Sequence, residues 1–433
     1  MEWYWMGATL FAILIGFILI GVPVAFSLGL AGTVAVYLFL TPHMLMQLAR
    51  ISFDVASTHL FIVAPLFVLM AGLVSQSDVA EKAFLAATKW MNRLPGPLAI
   101  STVASATLFS AISGSSPATA AAIGYTAVPE MLKHGYSKRL AVGTVAAGGT
   151  LGILIPPSVV MIIYGIITET SIGDLFAAGI IPGILLSLLL MLYVMVSCIR
   201  TPPVSIENTV ITWSDRFAAL KGIWAIVLLF IAVMGAIYGG IATPTEAAAI
   251  GAMVALILTL PRQGMGLSGL SLVLVRTAQT TSMILLLIIC GSFFGFVISA
   301  LGIAHEMVAV LVEAQVSPWT VLIGYLILLV ILGTLMDPAS MMVITLPLAF
   351  PVLKQLGFDP VWIGVLVTIA VEIGMITPPV GLNLFVLQGV VPREITTKDI
   401  ALGALPFVGV LLFGLLLVLV FPGLATWLPA VLP

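Results

Sequence analysis

The sequence predicts an all-α polytopic membrane protein, an inverted repeat of five spans plus one re-entrant hairpin in each half, with helices broken at mid-membrane. Composition is the first reason. Of 433 residues, 61% are hydrophobic and 7% charged, against about 25% charged in a soluble domain. The second is that the apolar runs are long, not short and alternating, and carry Pro, Gly or Ser in their middles. The third is that the pattern of interruptions occurs twice in one order. A soluble enzyme, a nucleic-acid binder, a disordered chain and an outer-membrane barrel are thereby excluded. The net charge of −2 supplies no global steering field, and Cys198 and Cys290 lie in separate apolar runs, unlike a disulfide scaffold. No basic stretch precedes the first run, so no cleavable signal peptide is expected.

The first apolar stretch runs from Gly7 to Leu40. As one helix it would be roughly 51 Å long, too long for a hydrocarbon core of about 30 Å. Gly21-Val22-Pro23 divides it into spans at 5–20 and 23–40. A run at 55–75 follows, then a mixed stretch at 76–96 with Asp78, Glu81, Lys82, Lys89 and Arg93, which reads as an interfacial amphipathic arm. Residues 97–132 are interrupted by Ser113-Gly114-Ser115-Ser116-Pro117, and residues 140–167 by Gly148-Gly149-Thr150 and Pro156-Pro157-Ser158. A clean span at 175–198 and a polar loop at 199–221 end the first half. The second half shows runs at 222–241 and 246–260 meeting at Thr243-Pro244-Thr245. A run at 277–300 and an amphipathic stretch at 303–316 follow. Residues 319–353 are broken at Asp337-Pro338, residues 360–388 at Thr377-Pro378-Pro379, and a last run covers 400–422.

Landmarks pair between the halves. Pro23 with Pro244, Pro117 with Pro338 and Lys133 with Lys354 share an offset of 221; Pro156-Pro157 with Pro378-Pro379 gives 222, and Pro182 with Pro406 gives 224. The repeats are accordingly placed at 1–200 and 222–433, with a cytoplasmic linker at 201–221, hairpins at 97–132 and 319–353, and broken helices at 140–167 and 360–388. An odd number of spans per half inverts the second repeat. With both hairpins re-entrant, one face holds Lys82, Lys89, Arg93, Lys133, Lys138, Arg139, Arg200, Arg216, Lys221, Arg262, Arg276, Arg393 and Lys398. The other holds only Arg50 and Lys354. The positive-inside rule assigns the rich face to the cytoplasm, which makes both termini periplasmic or extracellular.

Inverted repeats with paired broken helices are the pattern of a secondary transporter. Breaks at mid-membrane free backbone groups that are costly in lipid unless they line a cavity or bind something. Half-helix N-termini suit a carboxylate, and freed carbonyls suit a cation such as Na⁺. The first hairpin tip offers Ser113, Gly114, Ser115, Ser116 and Thr119. The first broken helix offers Gly148, Gly149, Thr150, Pro156, Pro157 and Ser158, and the second Gly374, Thr377, Pro378, Pro379 and Asn383. Asp337 lies at the second tip, where a carboxylate costs about 2.5–3.5 kcal/mol on insertion scales. No Lys or Arg lies at matching depth, so a bound cation is its simpler partner. Glu372 is also at depth, either a ligand for a cation or proton or a hydrogen-bond partner of a freed amide. Glu246 reads as a helix N-terminal charge, Glu130 as a partner of His134 or Lys133. Trp3, Trp5, Trp319, Trp362 and Trp427 read as an interfacial aromatic belt. An enzyme is disfavoured: His43, His59, His134 and His305 lie near predicted membrane edges, none is placed to activate Ser115, and neither a Walker loop nor a metal-ligand spacing is present.

At these breaks Ser113–Thr119 (SGSSPAT), Gly148–Ser158 (GGTLGILIPPS), Thr243–Ala248 (TPTEAA) and Thr377–Asn383 (TPPVGLN) resemble the large membrane subunit of TRAP transporters, the tripartite ATP-independent periplasmic type. The similarity covers nearly the whole chain. It implies an elevator-type, Na⁺-coupled importer of organic acids such as C4-dicarboxylates or sialic acid, in a bacterial inner membrane. A separate small four-helix membrane subunit and a periplasmic substrate-binding protein are implied as partners. The resemblance also implies Na⁺ sites where hairpin tips meet unwound helices, at least two by the repeat. That carries over to Ser113, Gly114, Ser115, Gly149 and Pro156 in the first half and to Gly333, Asp337, Glu372, Gly374 and Thr377 in the second. The substrate is expected among Ser115, Ser116, Thr119, Thr150, Ser158 and Asn383. A stand-alone Na⁺-coupled carboxylate transporter of similar inverted-repeat fold is the alternative.

Overall fold

A computed structural model describes residues 3–202, 211–259 and 267–432, and they are helical almost throughout. The Gly21–Pro23 break separates α1 (Trp3–Leu19) from α2 (Val24–Phe39), because Gly21 takes a left-handed turn at φ 87° and Pro23 opens the next helix. The run expected at 55–75 is not one helix. It is α3 (Met46–Ser57) and α4 (Val63–Ser75) joined by a short 3₁₀ turn, with a bend of 57° between Pro42–Ser57 and His59–Ser75. The polar residues Gln47, Arg50 and Asp54 on α3 hid it from a search for apolar runs. The arm expected at 76–96 is α5 (Val79–Met91). Its apolar face, with Ala83, Phe84 and Ala87, is buried, while Glu81 is exposed.

The first hairpin is α6 (Pro97–Ser113) and α7 (Ser116–Lys133); the first broken helix is α8 (Lys138–Thr150), a 3₁₀ turn at Leu151–Ile153, and α9 (Val159–Thr168). Next comes α10 (Ile172–Arg200), a 29-residue helix. The linker read at 201–221 is shorter than expected. Thr212 and Asp215 form a reciprocal cap that starts α11 at Trp213; residues 203–210 of that linker, like Arg262 of the basic face, lie outside the described residues. Helix α11 (Trp213–Phe230) continues through a π segment into α12 (Ala236–Tyr238), and α13 (Pro244–Thr259) follows. Glu246 accepts from Thr243 N at 2.8 Å and its own N–H donates to Thr243 Oγ1 at 3.3 Å, the N-terminal role expected of it. The run expected at 277–300 begins earlier, as α14 (Leu267–Ala300). Then come α15 (Ile303–Glu313), the second hairpin α16 (Pro318–Gly333) and α17 (Pro338–Gln355), the second broken helix α18 (Pro360–Met375) and α19 (Leu382–Val390), and α20 (Thr397–Val420). A final helix α21 (Gly423–Val431), not anticipated, packs on α10.

Among the described residues, four helices are long and apolar enough to cross a bilayer alone: Ile172–Arg200, Trp213–Tyr238, Ser268–Ala300 and Thr397–Val420; the bent α3–α4 pair makes a fifth. Exposed stripes at Ile184, Leu188, Leu192 and Ile199 of α10, and at Trp213, Phe217, Leu220 and Trp224 of α11, continuing to Ile231 of the π segment, face outward, as lipid-bathed helices require. Trp362 departs from the expected belt: it is 3% exposed and donates from Nε1 to Val418 O at 3.0 Å, locking α18 to α20. Several basic segments meet at one end. Lys138 Nζ donates to Glu394 O at 2.7 Å, Arg139 lies 3.9 Å from Asp399, and Trp90 Nε1 donates to Arg216 O at 3.1 Å. Tyr136 Oη accepts from Leu98 N at 3.3 Å. Glu130 pairs with His134 rather than Lys133, at 3.5 Å.

Candidate functional site

Each hairpin tip is hydrogen-bonded to the broken helix that follows it. Gly114 ends α6 in the left-handed region at φ 60°, a conformation that a β-carbon penalises. A β-carbon there would also come within 2.8 Å of Pro157 O. The tip is tied down by Val159 N donating to Gly114 O at 3.4 Å and Ser116 Oγ donating to Thr150 O at 3.0 Å. In the second half, Gly381 N donates to Thr334 O at 3.0 Å. Gly333 of the hairpin and Gly374 of the broken helix touch so closely that a β-carbon on Gly374 would lie 2.6 Å from Gly333 Cα. Both Pro156-Pro157 and Pro378-Pro379 are cis.

The two tips face one another across a cavity of about 280 Å³. Three helices begin on it: α7 at Ser115 and Pro117, α9 at Val159 and Val160, and α17 at Asp337, Pro338 and Ala339. Many first-turn N–H groups are already capped, Val159 N by Gly114 O, Met161 N by Ser158 Oγ and Ser340 N by Asp337 Oδ2, and Pro117 and Pro338 have none. The converging peptide dipoles are what favour an anion here, since the lining includes no Lys, Arg or His. The remaining wall comes from α4 (Val68, Ala71) and α14 (Thr280, Met283, Ile284), which sequence reading did not assign to the site. Nothing in either run flags them, since one apolar helix face looks like another until packing selects it. The cavity lies between two apolar cores, Ile153 and Val160 belonging to one and Ile163 and Ile284 to the other.

Of the residues expected to meet substrate, Ser115 lines the cavity. Ser116, Thr119, Thr150 and Ser158 are fully buried, and their hydroxyls donate to nearby carbonyls: Thr119 to Ser115 O at 2.9 Å, Thr150 to Ala147 O at 2.6 Å, and Ser158 to Ile153 O at 2.5 Å. Asn383 is fully buried with neither amide atom hydrogen-bonded. Of the residues expected to hold Na⁺, Ser113, Gly114, Ser115 and Asp337 line the cavity. Gly149 packs on Ala120, where a β-carbon would come within 2.7 Å of Ala120 Cβ. Pro156 belongs to the unwound segment beyond α8. Thr377 Oγ1 donates to Ile373 O at 2.6 Å. Asp337 also caps its helix, Oδ2 accepting from Ser340 N at 3.0 Å.

Glu372 is 0% exposed, and neither carboxylate oxygen has a hydrogen-bond partner. The N–H groups of Ile153 and Leu154, in the unwound part of the first broken helix, face it without making a bond of ordinary geometry. A buried carboxylate left this way is costly, so the donor set fits a cation or a proton. No group of three or more His, Cys, Asp and Glu occurs among the described residues, so a transition-metal centre has no ligand set there.

Long apolar helices with outward-facing exposed stripes, around a cavity on which several helix breaks open, have the build of a multi-pass membrane transport protein. The chain belongs to the family described as "Tripartite ATP-independent periplasmic transporter, DctM component", whose model matches residues 11–424. It is 36% identical to the C4-dicarboxylate TRAP transporter large permease protein DctM of Vibrio cholerae, over 98% of each chain. It is 32% identical to the isethionate TRAP transporter permease protein DctMQ of Oleidesulfovibrio alaskensis, over 96% of this chain and 64% of that one. In fold it is similar to the YdaH transporter of Alcanivorax borkumensis, with a TM-score of 0.64 and 17% identity over 88% of each chain. The family is one of transporter permeases, not enzymes.

Proposed function

We propose that this permease imports an organic acid through the cavity between its hairpin tips, driven by Na⁺. The carrying observation is that three helix N-termini open on one cavity whose lining includes no basic side chain. An anion is held there by the three converging helix dipoles. Na⁺ supplies the counter-charge that lets an anion sit beside Asp337. The residues that would hold it are Ser113, Gly114, Ser115, Gly149 and Pro156 in one half and Gly333, Asp337, Glu372, Gly374 and Thr377 in the other. The unpartnered oxygens of Glu372 support this. Ser115 orients the acid at the tip, and the interlocked Ser116 and Thr150 hold that tip in place.

The inverted repeat is supported by the recurring tip-to-helix hydrogen bond, Val159 to Gly114 in one half and Gly381 to Thr334 in the other, at offsets near 221. On this reading the repeats occupy 1–200 and 222–433. The hairpins and broken helices move as one body against the remaining spans, with α5 and α15 as levers. The gathering of Lys138, Arg139 and Arg216 with the segments bearing Lys89, Arg93, Arg393 and Lys398 supports a cytoplasmic end there, periplasmic termini and an inner-membrane location. The partners are a periplasmic substrate-binding protein and a small membrane subunit. The additional length of the DctMQ relative is consistent with the latter being fused there. Uptake in proteoliposomes, with and without a candidate binding protein and an inward Na⁺ gradient, tests the reading. Saturable uptake needing both is expected; uptake indifferent to Na⁺ would overturn the coupling.

A further inference from the structure

The cavity's walls differ in chemistry. Its polar groups are Ser113, Ser115 and Asp337, at the hairpin tips, and a single hydroxyl, Thr280, on the α14 wall. The rest is hydrocarbon and thioether: Val68 and Ala71 from α4, Met283 and Ile284 from α14, and Val160 and Ile163 from α9. We infer that this cavity selects an acid with one anionic group and a compact apolar body, over a dicarboxylate or a polyhydroxylated sugar acid. This rests on the reading of the cavity as the transport site.

One carboxylate is served by the three helix N-termini. A second carboxylate would face the α4 and α14 wall, which offers Thr280 alone and no cationic side chain. The hydroxyls of a sugar acid would meet the same wall and lose their water without replacement. A branched hydrocarbon body loses nothing there and gains contact with Met283, whose flexible thioether adapts to irregular shapes. The volume of about 280 Å³ lies just below the range typical of drug-sized ligands, which suits a small acid.

Ligand-induced thermal stabilisation of the purified permease in NaCl tests this apart from any selection by a binding protein. The probes are 4-methyl-2-oxopentanoate, pyruvate, succinate and N-acetylneuraminate. The branched acid should act at a concentration at least about tenfold below succinate and N-acetylneuraminate, within the range of what one unpaired buried polar group costs. Succinate or N-acetylneuraminate acting at an equal or lower concentration would overturn the inference while leaving the cavity as an acid site. No stabilisation by any acid would overturn the reading of the cavity itself. Ala71→Leu, which narrows the apolar wall, should weaken the branched acid about tenfold or more and leave pyruvate within about threefold. Equal weakening of both would show that the apolar body does not lie against α4.

Discussion

At the residue scale, charge inside an apolar run was the clearest signal, and Asp337 and Glu372 both carried it. The structure gives Asp337 a second task, capping α17 through Oδ2. Asn caps a helix about as well as Asp, so Asp337→Asn separates charge from fold. It should leave thermal stability nearly unchanged and raise the Na⁺ half-saturation of uptake about 10- to 150-fold, the equivalent of about 1.5–3 kcal/mol. An unchanged half-saturation in a well-expressed variant would remove Asp337 from the cation site. Glu372→Gln keeps the volume and removes the charge; its Na⁺ half-saturation should rise about tenfold or more. A silent Glu372→Gln would instead assign Glu372 to hydrogen bonding. Hydroxyls were less legible. Ser116, Thr119, Thr150 and Ser158 looked alike as ligands, yet each donates to a nearby carbonyl, because in an apolar interior a hydroxyl takes the nearest acceptor.

At the scale of elements, the breaks were legible because Gly, Pro and Ser interrupt helices for local steric reasons. The bend between α3 and α4 was missed, although Pro65 in the first turn of α4 marks a helix start just after it. Close helix crossings were also invisible. On α8, a β-carbon at Gly143 would overlap the carbonyl of Gly403 on α20, and one at Gly403 would overlap the carbonyl of Arg139. These are backbone contacts, so no rotamer change relieves them. Gly143→Ala or Gly403→Ala should destabilise the protein by about 1–3 kcal/mol, read as a fall in melting temperature in detergent. Gly409→Ala, on the same helix with open space around it, is the control and should be neutral or slightly stabilising. Equal effects at 403 and 409 would show that the α8–α20 approach is not what these glycines serve.

At the scale of the whole molecule, orientation and motion make separate predictions. Cysteine substituted for exposed Lys138 or Arg393 should resist a membrane-impermeant label applied outside intact cells, and cysteine at Arg50 or Lys354 should react. Efficient outside labelling at position 138 would invalidate the re-entrant hairpins. For the motion, a disulfide between α4 and α6, which pack together, should stop uptake and leave Na⁺ binding largely intact. Full transport with the cross-link verified would favour local gating around a fixed site.

Composition and spacing determined by themselves that the chain is a helical membrane protein, where its helices break, and that the breaks occur twice. These follow from local chemistry: apolar runs need lipid or a core, and Gly and Pro act within a turn of where they stand. Only the tertiary structure decided that the two tips share one cavity and that α7, α9 and α17 all begin on it. It also selected Val68, Ala71, Thr280 and Met283 as the opposing wall. Which face of an apolar helix meets a site depends on packing between segments some two hundred residues apart, such as Ser113 and Asp337. No local pattern along the chain encodes that meeting.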